Sequence, residues 1–492
     1  MRRASARAAV VGAAAALALL LALAAAGRGA LAEGAAADIV VCPDCPVASL
    51  AEAVAAAAPG ARVEVRGGTY PGGLVVERPI ELVGVGNPVI DGGGKGTLLR
   101  AVKADLAISG FTLRDTGTNP EKEDAAIDVD GGRATIVGNV VEDALFGIYL
   151  KQAAGSVVRD NVVHGKALDV ARRGDGVKIW YSDGVVVEGN QASDGRDIIL
   201  WYSNGATVSD NVFDRGRYGL HLMYSDGARV ERNSLRANSI GLYVMYSRDP
   251  VIVGNTLADN HGASGGGLGF KDVDRALVEA NRFVNNHIAV QVDTSPREPG
   301  AENVFRGNVF AFNAVGFAFS PSIRDNTLVD NNFIDNGEQV AILGRGQLRD
   351  ITWAADGRGN YWSDYAGFDA DHDGIGDIPY RSQRLFEVMV DRHPALRLFA
   401  YSPASLAVDF AAKAMPVARP ETKLEDPAPL MTTSRDPLLP PAAEPGGSRT
   451  ALGLAGLAVA AGAAGAALAL RRPVAWAFPA QPATPQRAEG AR

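Results

Sequence analysis

Gly241-Leu242-Tyr243-Val244-Met245, with Val251-Ile252-Val253-Gly254-Asn255 just behind it, decides the fold. In both stretches β-branched and aromatic residues alternate with period two, the pattern of strands rather than helices. The asparagine that closes the second stretch recurs at Asn139, Asn161, Asn190, Asn211, Asn233, Asn255, Asn281, Asn308 and Asn331, in steps of 22, 29, 21, 22, 22, 26, 27 and 23 residues. A near-constant period of this length marks a solenoid. Leucine-rich repeats share the period but need Leu-x-x-Leu-x-Leu blocks, which are absent. The expected fold is all-β: a right-handed parallel β-helix in which each strand pairs with its counterpart one coil away, at about 4.8 Å. Asparagine suits the turns, because it tolerates left-handed backbone and stacked amides can hydrogen-bond along the ladder.

Around this core the chain divides readily. Residues 1–32 read as a signal peptide: Arg2, Arg3 and Arg7 precede the apolar run Val10 to Ala26, and Ala30-Leu31-Ala32 offers a cleavage site. Residues 33–60 are expected to cap the rod, through an amphipathic helix over Val47 to Ala58 stopped by Pro59-Gly60. The β-helix is placed at 61–350, a C-terminal capping region with an Asp-rich loop at 351–401, and a Pro-rich linker at 402–450. Ala451 to Leu470 is 20 residues without a charge, long enough for a transmembrane helix. Arg471-Arg472 behind it would leave 471–492 as a cytoplasmic tail. The expected location is the periplasm, tethered to the inner membrane by the C-terminal helix. A net charge of −8 argues against a nucleic-acid partner.

Stacking lets the repeats be read as columns. Leu220, Leu222, Leu242 and Val244 should point inward and their odd-numbered neighbours outward. One outward column is then Lys151, Trp180, Trp201, Met223, Met245 and Lys271. Its neighbour is Tyr149, Lys178, Ile199, His221 and Tyr243. Beyond lie Tyr181, Tyr202, Tyr224 and Tyr246, each followed by a serine. Tyrosine and serine there fit turn packing, whereas outward tryptophan and methionine suggest a contact surface. Trp180, Tyr181, Trp201, Tyr202, Tyr224, Tyr243 and Tyr246 are the candidate partner-binding face.

Three constellations could hold a metal or carry chemistry. His221, Met223 and Met245 offer imidazole and thioether ligands suited to Cu(I) in a transient site. Cys42 and Cys45 form a Cys-x-x-Cys, readable as a local disulfide or as a second Cu(I) site. Asp369, Asp371, Asp373 and Asp377 stand at positions 1, 3, 5 and 9 of a loop with Gly374 at 6 and Ile375 at the main-chain position 7. That spacing suits a structural calcium, although Tyr380 replaces the usual glutamate at position 12. Asp169, Asp175, Asp194 and Asp197 could act as a carboxylate pair on a sugar polymer. Each also fits a turn, and no histidine or lysine base falls in register beside them, so no catalytic residue is assigned.

With the repeat, Asn360-Tyr361-Trp362-Ser363-Asp364-Tyr365 and Gly374-Ile375-Gly376-Asp377-Ile378-Pro379-Tyr380 in hand, the chain resembles the NosD family over roughly Ala32 to Tyr401. This is a family of periplasmic β-helix proteins of nitrous oxide reductase maturation, within the wider class of carbohydrate-binding and sugar-hydrolase β-helices. The resemblance implies a non-enzymatic accessory protein. It would dock on an ABC ATPase and permease of NosF and NosY type, with a NosL-like copper chaperone as donor and nitrous oxide reductase as client. The C-terminal anchor and linker depart from the shorter form expected of the family. The competing expectation is a polysaccharide-binding or -modifying β-helix of lyase, epimerase or hydrolase type.

Overall fold

The computed structural model describes residues 38–434, apart from 263–264, 322, 345–346, 349, 383–385, 387–388, 391–392, 400–401 and 415–421. The segments expected to be signal peptide, membrane helix and cytoplasmic tail lie outside these residues. Among the described residues no helix is long and apolar enough to cross a membrane.

The repeats wind into a parallel β-solenoid of about 13 turns. Each coil contributes one strand to each of three parallel sheets, which hold 14, 13 and 12 strands and are called first, second and third in the order the chain visits them. Register follows the predicted columns: Leu220 pairs with Leu242, His221 with Tyr243, Leu222 with Val244 and Met223 with Met245. Leu220, Leu222, Leu242 and Val244 are fully buried in one continuous apolar core. Longer coils spend their extra residues at corners; the 29-residue step holds the 3-10 turn Val170–Arg172 between the second and third sheets.

The asparagines line the corner between the first and second sheets, and all are buried. Each donates from its backbone N and from Nδ2 to the Oδ1 of the next; Asn211 reaches Asn233 at 3.0 and 2.9 Å. The expectation that these asparagines take up left-handed backbone is corrected. The residue before each one does so, as at Asp160, Asp210, Arg232, Ala280 and Asp330, with φ of 52–58°. Asparagine is needed instead for an amide that both donates and accepts inside the corner. A second ladder, Asn238, Asn260, Asn286, Asn313 and Asn336, runs between the second and third sheets, with backbone N to Oδ1 at each step and Nδ2 to Oδ1 from Asn260 onward. Ser182, Ser203, Ser225 and Ser247 line the third corner, the backbone N of each of the first three donating to the next Oγ at 3.0–3.2 Å.

Both ends differ from expectation. The first rung is Ile39–Val41, paired with Val63 to Val65, so residues 33–60 are not all cap. The expected helix is shorter, Leu50–Ala56, with Ser49 Oγ accepting from Glu52 N and Leu50, Ala53 and Val54 buried. At the other end the sheets continue past residue 350 to Ile351–Thr352 and Tyr361–Trp362. Part of the expected linker is folded: Pro403–Ala414 is helical, and the chain then returns as a strap, Thr422 to Ser434.

The strap seals the last coil. Asp426 is buried and takes the place of the next asparagine: its Oδ2 accepts from Asn360 N at 2.8 Å and from Trp362 Nε1 at 2.9 Å. Lys423 Nζ reaches Glu338 Oε1 at 2.7 Å, and Ser434 N donates to Asn332 Oδ1 at 3.0 Å. Inside, Phe283, Phe310, Phe333, Trp362 and Tyr380 stack in sequence at centroid spacings of 4.3–5.2 Å. The Asn360–Tyr380 motif is therefore the terminal rung and its lid.

Candidate functional site

The outer face of the third sheet carries the predicted columns. Lys151, Trp180, Trp201, Met223, Met245 and Lys271 are successive register partners. Trp180, Trp201, Met223 and Met245 are half-buried. At the adjoining corner Tyr181, Tyr202, Tyr224 and Tyr246 stack at 4.7–4.8 Å, with interplanar angles of 4–14°. Their ring faces cover one another, so the ladder presents mainly edges and hydroxyls. Tyr181 and Tyr224 are 49% and 37% exposed.

The neighbouring column is outward by register but not open. His221 is only 6% exposed. Tyr218 packs edge-on against it at 5.1 Å, Tyr243 lies over it at 6.0 Å, and the Arg217 guanidinium covers Tyr218 at 4.4 Å. Neither ring nitrogen of His221 has a hydrogen-bond partner. The nearest carboxylate oxygen, Asp197 Oδ2, is 3.9 Å from Nδ1. Lower in the column, Lys151 and Lys178 sit over Tyr149 at 4.2 and 4.4 Å, and Lys178 Nζ donates to Glu123 Oε1 at 2.5 Å. Burial and the acidic neighbours push the Tyr149 phenol up, and burial pushes Tyr243 up to about 12. Tyr243 is half-buried, like Trp180 and Trp201, and packs against Tyr218 and His221.

Of the four carboxylates considered for catalysis, Asp175 and Asp197 come together in the corner below His221, while Asp169 is exposed and Asp194 pairs with Arg215 at 2.9 Å. Arg196 holds Asp175 through both oxygens, at 3.1 and 3.2 Å, and Arg217 clamps Asp197 in the same way. The register partner of Asp197 is Tyr218, not a histidine or lysine; His221 approaches its Oδ2 from the next coil, at 3.9 Å. Each carboxylate is nonetheless occupied by a guanidinium. The arginines escaped the sequence reading, although Gly195-Arg196-Asp197 and Gly216-Arg217-Tyr218 repeat at a coil's spacing. They replace the second asparagine ladder, which starts one coil later at Asn238.

The two acids differ electrostatically. Burial raises Asp175 to about 6, against the opposing Arg196. Burial also opposes ionisation of Asp197, but His221 and Arg217 outweigh it and hold that carboxyl below the usual range. A raised folded-state value means that the folded protein binds the proton more tightly than the unfolded chain. The stabilisation from Asp175 is therefore present below pH 4 and lost as pH rises through about 6. The coils around Asp175 should be more protected from hydrogen exchange at pH 4.5 than at pH 7, by up to ~2 kcal/mol. Asp175→Asn should flatten that dependence; an unchanged pH profile in the variant would refute the assignment.

The remaining metal candidates resolve by geometry. Cys42 and Cys45 are joined as a disulfide, so the reading of this pair as Cu(I)-binding thiolates is corrected. Asp369, Asp371 and Asp373 bring carboxylate oxygens within 4.8 Å of one another, and Asp373 pushes Asp371 up. A calcium ion would find three ligands there, and the strap braces the loop through Gly376 N to Pro429 O and Met431 N to Gly374 O. Asp377 instead accepts from Ala370 N, and Tyr380 is buried with its hydroxyl on Asp364.

The family model described as "Periplasmic copper-binding protein (NosD)" matches residues 161–367, which include the Trp/Met column. A Pseudomonas aeruginosa protein named "Probable ABC transporter binding protein NosD" is 36% identical over 399 residues, covering 78% of this chain and 90% of that one. A Stutzerimonas stutzeri protein of the same name is 30% identical over 77% of this chain and 88% of its own. Among solved structures, the A-module of an Azotobacter vinelandii mannuronan C-5 epimerase is similar at 18% identity and a TM-score of 0.41, covering 61% of this chain and 91% of that one. On the extent of the sequence match to the two relatives, the chain belongs to the NosD family.

Proposed function

We propose that this chain is a non-enzymatic periplasmic component of an ABC-type machine that helps assemble the copper–sulfur cluster of nitrous oxide reductase. In this reading the half-buried Trp180, Trp201, Met223 and Met245, with the edges of the tyrosine ladder, form a docking face. A NosF- and NosY-like ATPase and permease, a NosL-like donor and the reductase are the partners. The apolar run at 451–470, followed by two arginines, supports a tether to the inner membrane.

The observation that carries the copper step is His221, an almost fully buried imidazole with no hydrogen bond to either nitrogen and only the Asp197 carboxylate, 3.9 Å from Nδ1, nearby. Unsatisfied buried polar atoms are rare and ask for an explanation. Met223 lies two residues along the same strand, and Met245 is its register partner one rung on. Imidazole and two thioethers suit Cu(I) as cargo: they bind a soft ion without deprotonation and can release it. Burial from water disfavours competing hard ions. The sugar-polymer reading is weaker, because Asp175 and Asp197 are tied to arginines and the tyrosine faces are covered.

Substituting His221, Met223 and Met245 together by alanine should weaken Cu(I) binding by about 10-fold or more. The client reductase should then accumulate with little copper in cells carrying the variant as their only copy. Copper content of the purified reductase is the measurement. Full loading in the triple variant would end the relay, while a docking role could still be tested by pulldown from membranes.

A further inference from the structure

Four consecutive coils place a tyrosine where the chain must adopt a left-handed backbone: Tyr181, Tyr202, Tyr224 and Tyr246 have φ of 47–52°. Other coils use Lys103, Gln152, Asp272 or Thr294 at this corner. A bulky aromatic in this conformation is unusual and costs about 1 kcal/mol or more. Its retention on four successive rungs points to a property of the rings. None of the four hydroxyls makes a hydrogen bond among the described residues, unlike Tyr70, Tyr365 and Tyr380. The other tyrosine–tyrosine contacts among the described residues, Tyr218–Tyr243 and Tyr365–Tyr380, cross at 83° and 71°. The ladder pairs are instead near-parallel, with ring centroids only 4.7–4.8 Å apart, which brings the ring carbons of successive rungs close to one another.

We propose that this ladder is an oxidation sink, in which neighbouring phenols couple to dityrosine when one-electron oxidants form at the face. It adjoins the groups most in need of protection. Trp180 lies against Tyr181 at 5.0 Å, Trp201 stacks on Tyr202 at 5.8 Å, and the thioethers of Met223 and Met245 occupy the same column as the two indoles. Oxidation of methionine to its sulfoxide would turn a soft ligand into a polar one. The oxidant is a peroxide. Two phenols each lose one electron and one proton, and the two phenoxyl radicals join through a new bond between ortho carbons. The ring hydrogens return to the oxygens by tautomerisation. The sum is two tyrosines plus hydrogen peroxide giving one dityrosine and two waters. Rungs are fixed by the parallel sheets, so coupling needs only a local approach of adjacent rings. Tyr181 and Tyr246, three rungs apart at roughly 14 Å, cannot couple directly.

Copper as the local source of radicals rests on the proposed function; the ladder chemistry does not. The full chain is therefore treated with hydrogen peroxide in two arms, one with a peroxidase and no copper, the other with added copper. The peroxidase arm should give monomer lacking two hydrogens per cross-link, with peptides joining Tyr181 to Tyr202, Tyr202 to Tyr224 or Tyr224 to Tyr246. The variant Tyr202→Phe with Tyr224→Phe keeps the stack and removes the two middle hydroxyls. Its intramolecular dityrosine should fall at least tenfold, and in the copper arm its Met223 and Met245 should become sulfoxides faster than in the parent. An equal cross-link yield in the variant, cross-links only between chains, or equal sulfoxide formation with and without the ladder would overturn the proposal. Cross-linking with the peroxidase but not with copper would support the ladder and count against copper at this face.

Discussion

Asn233→Ala is expected to open the middle of the solenoid. The side chain sits at the centre of the first asparagine ladder, and every group it touches is buried. Its Oδ1 accepts from Asn211 N at 3.0 Å and from Asn211 Nδ2 at 2.9 Å, while its Nδ2 donates to Val208 O and to Asn255 Oδ1, both at 2.9 Å. Alanine leaves the Asn211 backbone N without its acceptor and takes one bond each from Asn211 Nδ2, which keeps Val187 O, from Val208 O and from Asn255 Oδ1, all in a buried corner. At about 1–3 kcal/mol for the orphaned donor and less for each of the other lost bonds, the loss should be about 3–5 kcal/mol. Because a coil touches only its neighbours, the loss should appear locally before it appears globally. Hydrogen exchange from the strands Thr207–Ser209, Arg229–Glu231 and Val251–Val253 should speed up by about two to three orders of magnitude, with the terminal coils little changed. Asn204→Ala is the control: Asn204 is exposed at the third corner and accepts one bond, from Asp226 N. Equal protection in the two variants would show that the ladder is not what holds the coils in register.

Asp426→Ala should have a comparable effect at the C-terminal end. That carboxylate accepts from Asn360 N, Trp362 Nε1 and Ala428 N, with Asn360 Nδ2 at 3.3 Å. It also closes the asparagine ladder, whose last member would otherwise end on an open acceptor position. Burial pushes this carboxyl up, and only the converging donors make a buried charge tolerable. Truncation to alanine removes the acceptor and keeps the buried donors. The expected loss is again about 3–5 kcal/mol, confined to the last coils and the strap. Leu424 and Leu430 would leave the core, Trp362 would be uncovered, and the terminal strands would present unpaired edges that invite association. Limited proteolysis should cut between Thr422 and Ser434 in the variant while sparing the parent, and light scattering should report self-association. A protease-resistant, monomeric variant would mean that the lid is held by its other contacts, Lys423 to Glu338 and Ser434 to Asn332.

Both substitutions act on positions of very different visibility. Asn233 was legible because a parallel solenoid maps each residue onto the one about 22 positions on, so a ladder appears in the text as a period. The second ladder was equally legible: Asn238, Asn260, Asn286, Asn313 and Asn336 each lie five residues after a member of the first. Asp426 carried no such signal. It meets Asn360 across 66 residues of non-repeating chain, and nothing local distinguishes it from a turn aspartate in a proline-rich stretch.

The face shows the same division. Alternation and period determined, from sequence alone, the parallel sheets, the inward leucines, and the columns in which Trp180, Trp201, Met223 and Met245 align. Those quantities follow from backbone geometry, which repeats every two residues along a strand and about every 22 along the chain. Tertiary structure alone decided which outward residues remain open. Tyr218 and Arg217 close over His221, Glu123 engages Lys178, Cys42 is bonded to Cys45, and the tyrosine rings lie flat on one another. Burial and ring orientation depend on side chains brought in from corners and insertions, where the period breaks and position no longer predicts neighbours.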